Sequence, residues 1–376
     1  MSLKAAFNRI FKSKPSVGRY DLHGITVNVA PDEKANVEAL FDALASVPSG
    51  RQALDDMAQY KTAFFLESGL KTANAFFNPE SNAIVMDRSL DPAAMQFILV
   101  HEARHLRQWH QGRKEAEALN PDFASKMMLV KATEADAQVQ AFQACLEWRE
   151  RGNAAPMEQF EKRDRSIVDG FNRSRSLSGA FKGWYDNDLT VAVYEFNHGI
   201  FPALMYLDEN PEEKRPFTSL KPADIARFCG GNRIEGFERF LDSPKARRMH
   251  LMTKTAAEIY DSVSTAKGAA HDPSLKGVPL VPLNESPCTR MAADLLVART
   301  HNTFPPSLTK NPVKRNILKT LNAVAVCVEK MNRAEIKGVT DIEASAGLEE
   351  SKKRVLNAVN KNPLQALLPA YCSSRN

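Results

Sequence analysis

Two histidines and a glutamate in the run His101-Glu102-Ala103-Arg104-His105 have the types and spacing that do chemistry. On a helix, side chains four apart leave one face, one turn above the other. The ring nitrogens of His101 and His105 can then bind one metal ion. Glu102 projects toward the same side, where it can take a proton from metal-bound water. A helix of this kind is the working part of zinc metallohydrolases. The preceding run, Phe97 to Val100, is apolar, so the start of the helix is expected to be buried. A buried, uncompensated Glu102 would be costly, and a metal ion with its water accounts for its presence there.

A catalytic zinc needs a third protein ligand and keeps one position open for water. The metzincin pattern requires glycine at 108 and histidine at 111, where this chain has Gln108 and Gln111. His110 lies five residues after His105 and, on a continuing helix, points away from the pair toward solvent. Glu134 sits on the next expected helix, which can pack antiparallel against the first. Asp136 and Glu115 are the alternative acidic ligands, although Glu115 and Glu117 also fit an exposed helix face. Arg104 reads as a solvent-facing or supporting group. The oxygen of a reacting carbonyl needs a second donor. Tyr194 and His198, four apart, are the candidates, and the same spacing also suits plain amphipathic packing.

The elements that must position these residues follow from pattern. Tyr20 to Ala30 alternates and reads as one strand. Pro31-Asp32 opens a helix to about Ser46, and a second runs from about Gly50 to Ala58. Thr62 to Leu66, Asn74 to Phe77 and Asn82 to Met86 read as strands, with a turn over Asn78-Pro79-Glu80-Ser81-Asn82. Asp91-Pro92 starts the motif helix, which runs to about Gly112. Asn120-Pro121 opens the long helix of Glu134, to about Arg151. Pro156 to Asp208 reads as two helices with a break near Asp186. Pro222 to Leu251 and Thr253 to Lys267 read as helical. The expected fold class is therefore α+β and mostly helical: a small β-sheet, an active-site helix and helical extensions. The expected division is a basic leader (1–19), a catalytic domain (20–208), a helical subdomain (209–270), a linker (271–287) and a C-terminal helical region and tail (288–376).

Composition narrows the classes. Of 376 residues, 43% are hydrophobic and 25% charged, which fits a globular protein with a sizeable core. Five scattered cysteines with no Cys-x-x-Cys pair exclude a zinc ribbon and a disulfide scaffold, and fit a reducing compartment. No run approaches the roughly 20 apolar residues of a membrane span. The leader carries Lys4, Arg9, Lys12, Lys14 and Arg19, without the apolar core of a secretory signal. Net charge is +5 over the whole chain, too mild to point to nucleic acid. Between Asp294 and Glu329 there is no acid, and Phe304 is the only aromatic, so this stretch reads as a basic solvated face. The expected location is the cytoplasm, with export by a non-classical route as the alternative. The sequence leaves the oligomeric state open.

The pattern His101-Glu102-x-x-His105 followed by Glu134-x-x-Ala137 resembles the gluzincin group of zinc metallopeptidases. The stretch from Phe77 through His-Glu-Ala-Arg-His to Thr133-Glu-Ala-Asp-Ala137 also resembles bacterial metallopeptidase-like domains of unknown function. The resemblance covers about residues 60–205. It implies one zinc per chain, held by His101, His105 and Glu134, with Glu102 as general base and a peptide or protein as substrate. It also implies an edge strand just before the active-site helix that pairs with extended substrate, a place that Asn82 to Asp87 is expected to fill here. Where some gluzincins place an aspartate four residues after the ligand glutamate, this chain has Gln138, and the nearby acid is Asp136. A catalytically inactive zincin-like binding or effector module, or an amidohydrolase acting on a non-peptide amide, are the alternative readings.

Overall fold

In a computed structural model, the structure describes residues 17–68, 70, 74–187, 194, 198, 217–246 and 274. It is mostly helical, with one small mixed sheet, which is the α+β class that the pattern predicts. The strands are β1 (Gly18–Leu22), β2 (Ile25–Val29), β3 (Ala63–Glu67), β4 (Ala75–Asn78) and β5 (Ala83–Asp87). Their order in the sheet is β1-β2-β3-β5-β4. The pairs β1/β2 and β5/β4 are antiparallel, while β2/β3 and β3/β5 are parallel.

Two strand expectations are corrected. The run Tyr20 to Ala30 is a hairpin rather than one strand. His23 (φ 53°) and Gly24 (φ 75°) turn the chain between β1 and β2. Both central residues adopt the left-handed conformation that a two-residue hairpin turn demands. The strand over Asn82 to Asp87 is not an edge. β5 pairs with β3 on one side and β4 on the other, and all its residues are buried. The short turn after Asn78 folds β4 back onto the outer side of β5. Asn78 Oδ1 accepts from the Glu80 N–H at 2.9 Å, and Asn82 takes φ 48°, a conformation asparagine tolerates. The free edge next to the motif helix is therefore β4.

The helices are α1 (Lys34–Ala45), α2 (Pro48–Gln59), α3 (Pro92–Gln108), α4 (Lys114–Ala118), α5 (Phe123–Glu150), α6 (Ala155–Arg163), α7 (Arg165–Ser174), α8 (Leu177–Tyr185), α9 (Pro222–Ala226) and α10 (Phe237–Leu241). Pro156 to Tyr185 thus holds three helices. Asp164 breaks the first (ψ 46°), and Arg175 ends the second in a left-handed conformation (φ 53°), with no proline or glycine at either point. The helix expected over Pro222 to Leu251 is interrupted between α9 and α10, where Gly230-Gly231 lies in a 3-10 turn and Gly236 takes φ 69°. The leader to residue 16, the helix over Thr253 to Lys267, the linker apart from Ser274, and the region 288–376 lie outside the described residues.

The chain divides into two compact units. The first comprises Met1–Lys114, Thr133–Gly183 and Arg227–Glu235. Its core joins the sheet to α1 through Phe41 and Phe64, whose rings meet edge-on at 5.6 Å. Phe97 of α3, Phe142 of α5 and Phe160 of α6 form a second buried cluster. α3 packs on α2, α6 and β4. The C-terminal part of α5 is pinned at Glu147, which accepts from Ser49 N–H and Oγ at the start of α2, both at 2.7 Å. Trp148 Nε1 donates to Ala43 O at 2.9 Å. The second unit comprises Glu115–Ala132, Trp184–Ala226 and Gly236–Asn376. Within it Thr218 bridges to the Asn120–Asp122 backbone, and Tyr185 packs on Phe240. Among the described residues, no helix is long and apolar enough to cross a membrane.

Candidate metal centre

Asp91 starts α3: its Oδ1 accepts from the Ala93 and Ala94 N–H groups, and Pro92 fills the first turn. Phe97, Ile98, Leu99 and Val100 bury the middle of the helix. That burial fixes its rotation and brings the His101–His105 row to α5. Gly112 then ends the helical run at φ 137°, where a Cβ would come within 3.1 Å of Phe228.

The structure brings three of the expected residues together. His101 Nε2 and His105 Nε2 lie 3.0 Å apart. Glu134 places one oxygen 3.5 Å from the first and the other 3.3 Å from the second. Four ligands held at about 2.0–2.1 Å in a tetrahedron are about 3.3 Å from one another. The three donor atoms thus have the spacing and the chemistry of ligands to one ion. All three side chains are nearly buried, 10–12% exposed. Burial opposes ionisation of Glu134, but the adjoining His105 and His101 outweigh it and hold its carboxyl well below the ordinary range. Burial likewise disfavours a charged His105, and the Glu134 and Glu102 carboxylates overcome it and raise the pKa.

Glu102 is 7% exposed, and its Oε2 accepts from the Phe77 N–H of β4 at 2.9 Å. That bond ties the carboxylate to the outer edge of the sheet. Its other oxygen has no hydrogen-bond partner among the described residues.

His105 is held from behind by residues that spacing does not reveal. Gln108 Nε2 donates to Thr133 O at 3.0 Å and to Asp136 Oδ2 at 2.8 Å. With its amide nitrogen facing two acceptors, the amide oxygen must face His105 Nδ1, 2.9 Å away. His105 therefore carries its proton on Nδ1 and presents the Nε2 lone pair to the centre. Asp136 in turn accepts from Arg104 Nε and Arg233 Nη2, both at 2.6 Å, and is fully buried. Burial alone would raise its pKa, and the two guanidiniums lower it instead. Asp136, an alternative ligand by sequence, is thus the anchor of Gln108. Arg104 is its buried partner, with a side chain 10% exposed. Gly230 lets the backbone pass over this carboxylate, since a Cβ there would lie 2.9 Å from Asp136 Oδ1. By contrast, His101 Nδ1 is buried with no hydrogen-bond partner. In the sequence Gln108 stands only where the metzincin pattern has glycine. Its partners are 25 and 28 residues away, outside any local pattern.

Residues 24–231 match the family described as "Putative metallopeptidase family (DUF6782)". The chain belongs to this family. A metallopeptidase family implies a metal cofactor and a peptide substrate, and the matched span contains the whole centre built above. No curated protein and no solved structure matches the chain.

The other residues that the sequence singles out have these surroundings. Tyr194 and His198 belong to the second unit, where their rings stack at 5.8 Å and Tyr194 also meets Trp184 at 5.6 Å. His110 is exposed and stacks on Tyr60 at 4.2 Å. Glu115 and Glu117 are exposed on α4.

Proposed function

We propose that this metallopeptidase is a zinc enzyme of gluzincin type, with His101, His105 and Glu134 holding one zinc and Glu102 acting as general base. The observation that carries the reading is the 3.0–3.5 Å spacing of three donors from two helices, with a buried carboxylate next to the first. Zinc bound at such ligands lowers the pKa of a bound water to around 7 and polarises a carbonyl. Glu102, oriented through Phe77, uses its open oxygen to accept the water proton and later passes it to the leaving amine. Gln108 keeps the His105 proton on Nδ1, so its Nε2 stays a ligand through the cycle. β4 is the edge strand beside α3, and an extended peptide would add to it through the backbone groups other than the Phe77 N–H that Glu102 already engages.

The test is cleavage of a mixed peptide library by the full chain, read by mass spectrometry, beside a panel of non-peptide amides. The expected result is peptide cleavage that falls by roughly 10²–10⁴-fold in Glu102→Gln. Cleavage undiminished in Glu102→Gln would contradict the reading. Turnover of the amide panel alone would transfer it to an amidohydrolase.

A further inference from the structure

The first unit contains a cavity of about 580 Å³ on the other flank of α3. At about 100° per residue, Glu102 and Arg104 leave the helix on opposite sides of the His101–His105 row. Arg104, Arg107, Arg227 and Arg233 line the cavity, and Glu147 is the only acid among the described residues of its wall. Glu147 is already engaged by Ser49 and Gln143. Arg104 and Arg233 share the single carboxylate of Asp136 behind the wall. Arg107 reaches Asp56 only at 3.6 Å, and its Nε is buried with no hydrogen-bond partner among the described residues. Arg227 is exposed and makes no hydrogen bond or ion pair with any described residue. Cations therefore outnumber anions around an open polar cleft, an arrangement that an anionic ligand would relieve.

The remaining lining narrows the ligand. Gln111, Gln140 and Asn232 also face the cavity, and their amides hydrogen-bond to no described residue. Among the described residues no aromatic side chain lines it, so a nucleobase would find none of these to stack on. The volume falls within the roughly 300–1,000 Å³ of small-molecule sites.

We propose that this cavity binds a small, hydroxyl-rich molecule bearing phosphate groups. Its phosphates lie against Arg107 and Arg227, whose planar donors suit phosphate oxygens. Its hydroxyls are met by the Gln111, Gln140 and Asn232 amides. The site is separate from the metal centre and does not depend on the reading given to it.

The test is calorimetric titration of the full chain with fructose bisphosphate, inorganic phosphate and fructose as probes. The expected result is one site per chain for the bisphosphate, about tenfold or more tighter than inorganic phosphate, with no binding of fructose. Arg107→Ala and Arg227→Ala, which leave the Asp136 contacts intact, should each weaken the bisphosphate by about tenfold, with unchanged circular dichroism. His105→Ala should leave binding intact, which separates the cavity from the metal centre. Affinity no better than that of inorganic phosphate would overturn the hydroxyl-rich ligand. Binding unchanged in both arginine variants, or no binding at all, would overturn the site.

Discussion

The two sides of the His101–His105 row are assembled in different ways. Toward the centre, the donors come from a local repeat on α3 plus one residue of α5. The side chains there are nearly buried, and His101 keeps an unpartnered Nδ1. Behind it, Arg104, Gln108, Asp136 and Arg233 form a closed network whose longest link joins residues 97 apart. The first cluster carries donors that a cation would satisfy. The second is satisfied by the protein itself. Chemistry is thus concentrated where partners are missing, and rigidity where they are complete.

This contrast makes Asp136 and Glu134, two residues apart on one helix, behave differently. Asp136→Ala strands the nearly buried Arg104 guanidinium and the part-exposed Arg233, and is expected to cost about 3–5 kcal/mol of stability, read from urea unfolding. Glu134→Gln, measured in chelator, loses the carboxylate's pairing with His101 and His105 but keeps an amide that can hydrogen-bond them, and is expected to cost less, about 1–2 kcal/mol. The reverse ranking would break the contrast. Gln108→Leu tests the joint between the two clusters. It leaves the His105 Nδ1–H without its acceptor, and zinc affinity in a competitive titration should fall by roughly 10–100-fold. The smallest effect belongs to His110→Ala. This exposed histidine touches neither cluster, so it should cost about 0.5 kcal/mol and leave zinc affinity unchanged.

What the sequence made legible follows the same division. β3, β4 and β5 are found within a residue or so of their predicted spans, because short apolar runs lie between strong turn signals. His101, His105 and Glu134 meet as expected, since helical spacing fixes the pair and a returning helix supplies the third residue. The hairpin at His23-Gly24 escaped notice because alternation continues through it without an Asn-Gly or Asp-Gly signal. The edge strand was misplaced because nearness in sequence to α3 does not reveal that β4 folds outside β5. Gln108, Arg104 and Arg233 gained their roles from Asp136 across large sequence separations, and no periodicity encodes such a link.

The central claim is that two histidines and Glu134 hold one metal ion. Elemental mass spectrometry of the purified full chain, beside His105→Ala and Glu134→Ala, tests it most directly. The account predicts about one zinc per chain, lost in both variants while each remains folded. Zinc retained in Glu134→Ala would remove that residue from the centre. No metal after zinc is supplied at neutral pH would contradict the claim itself.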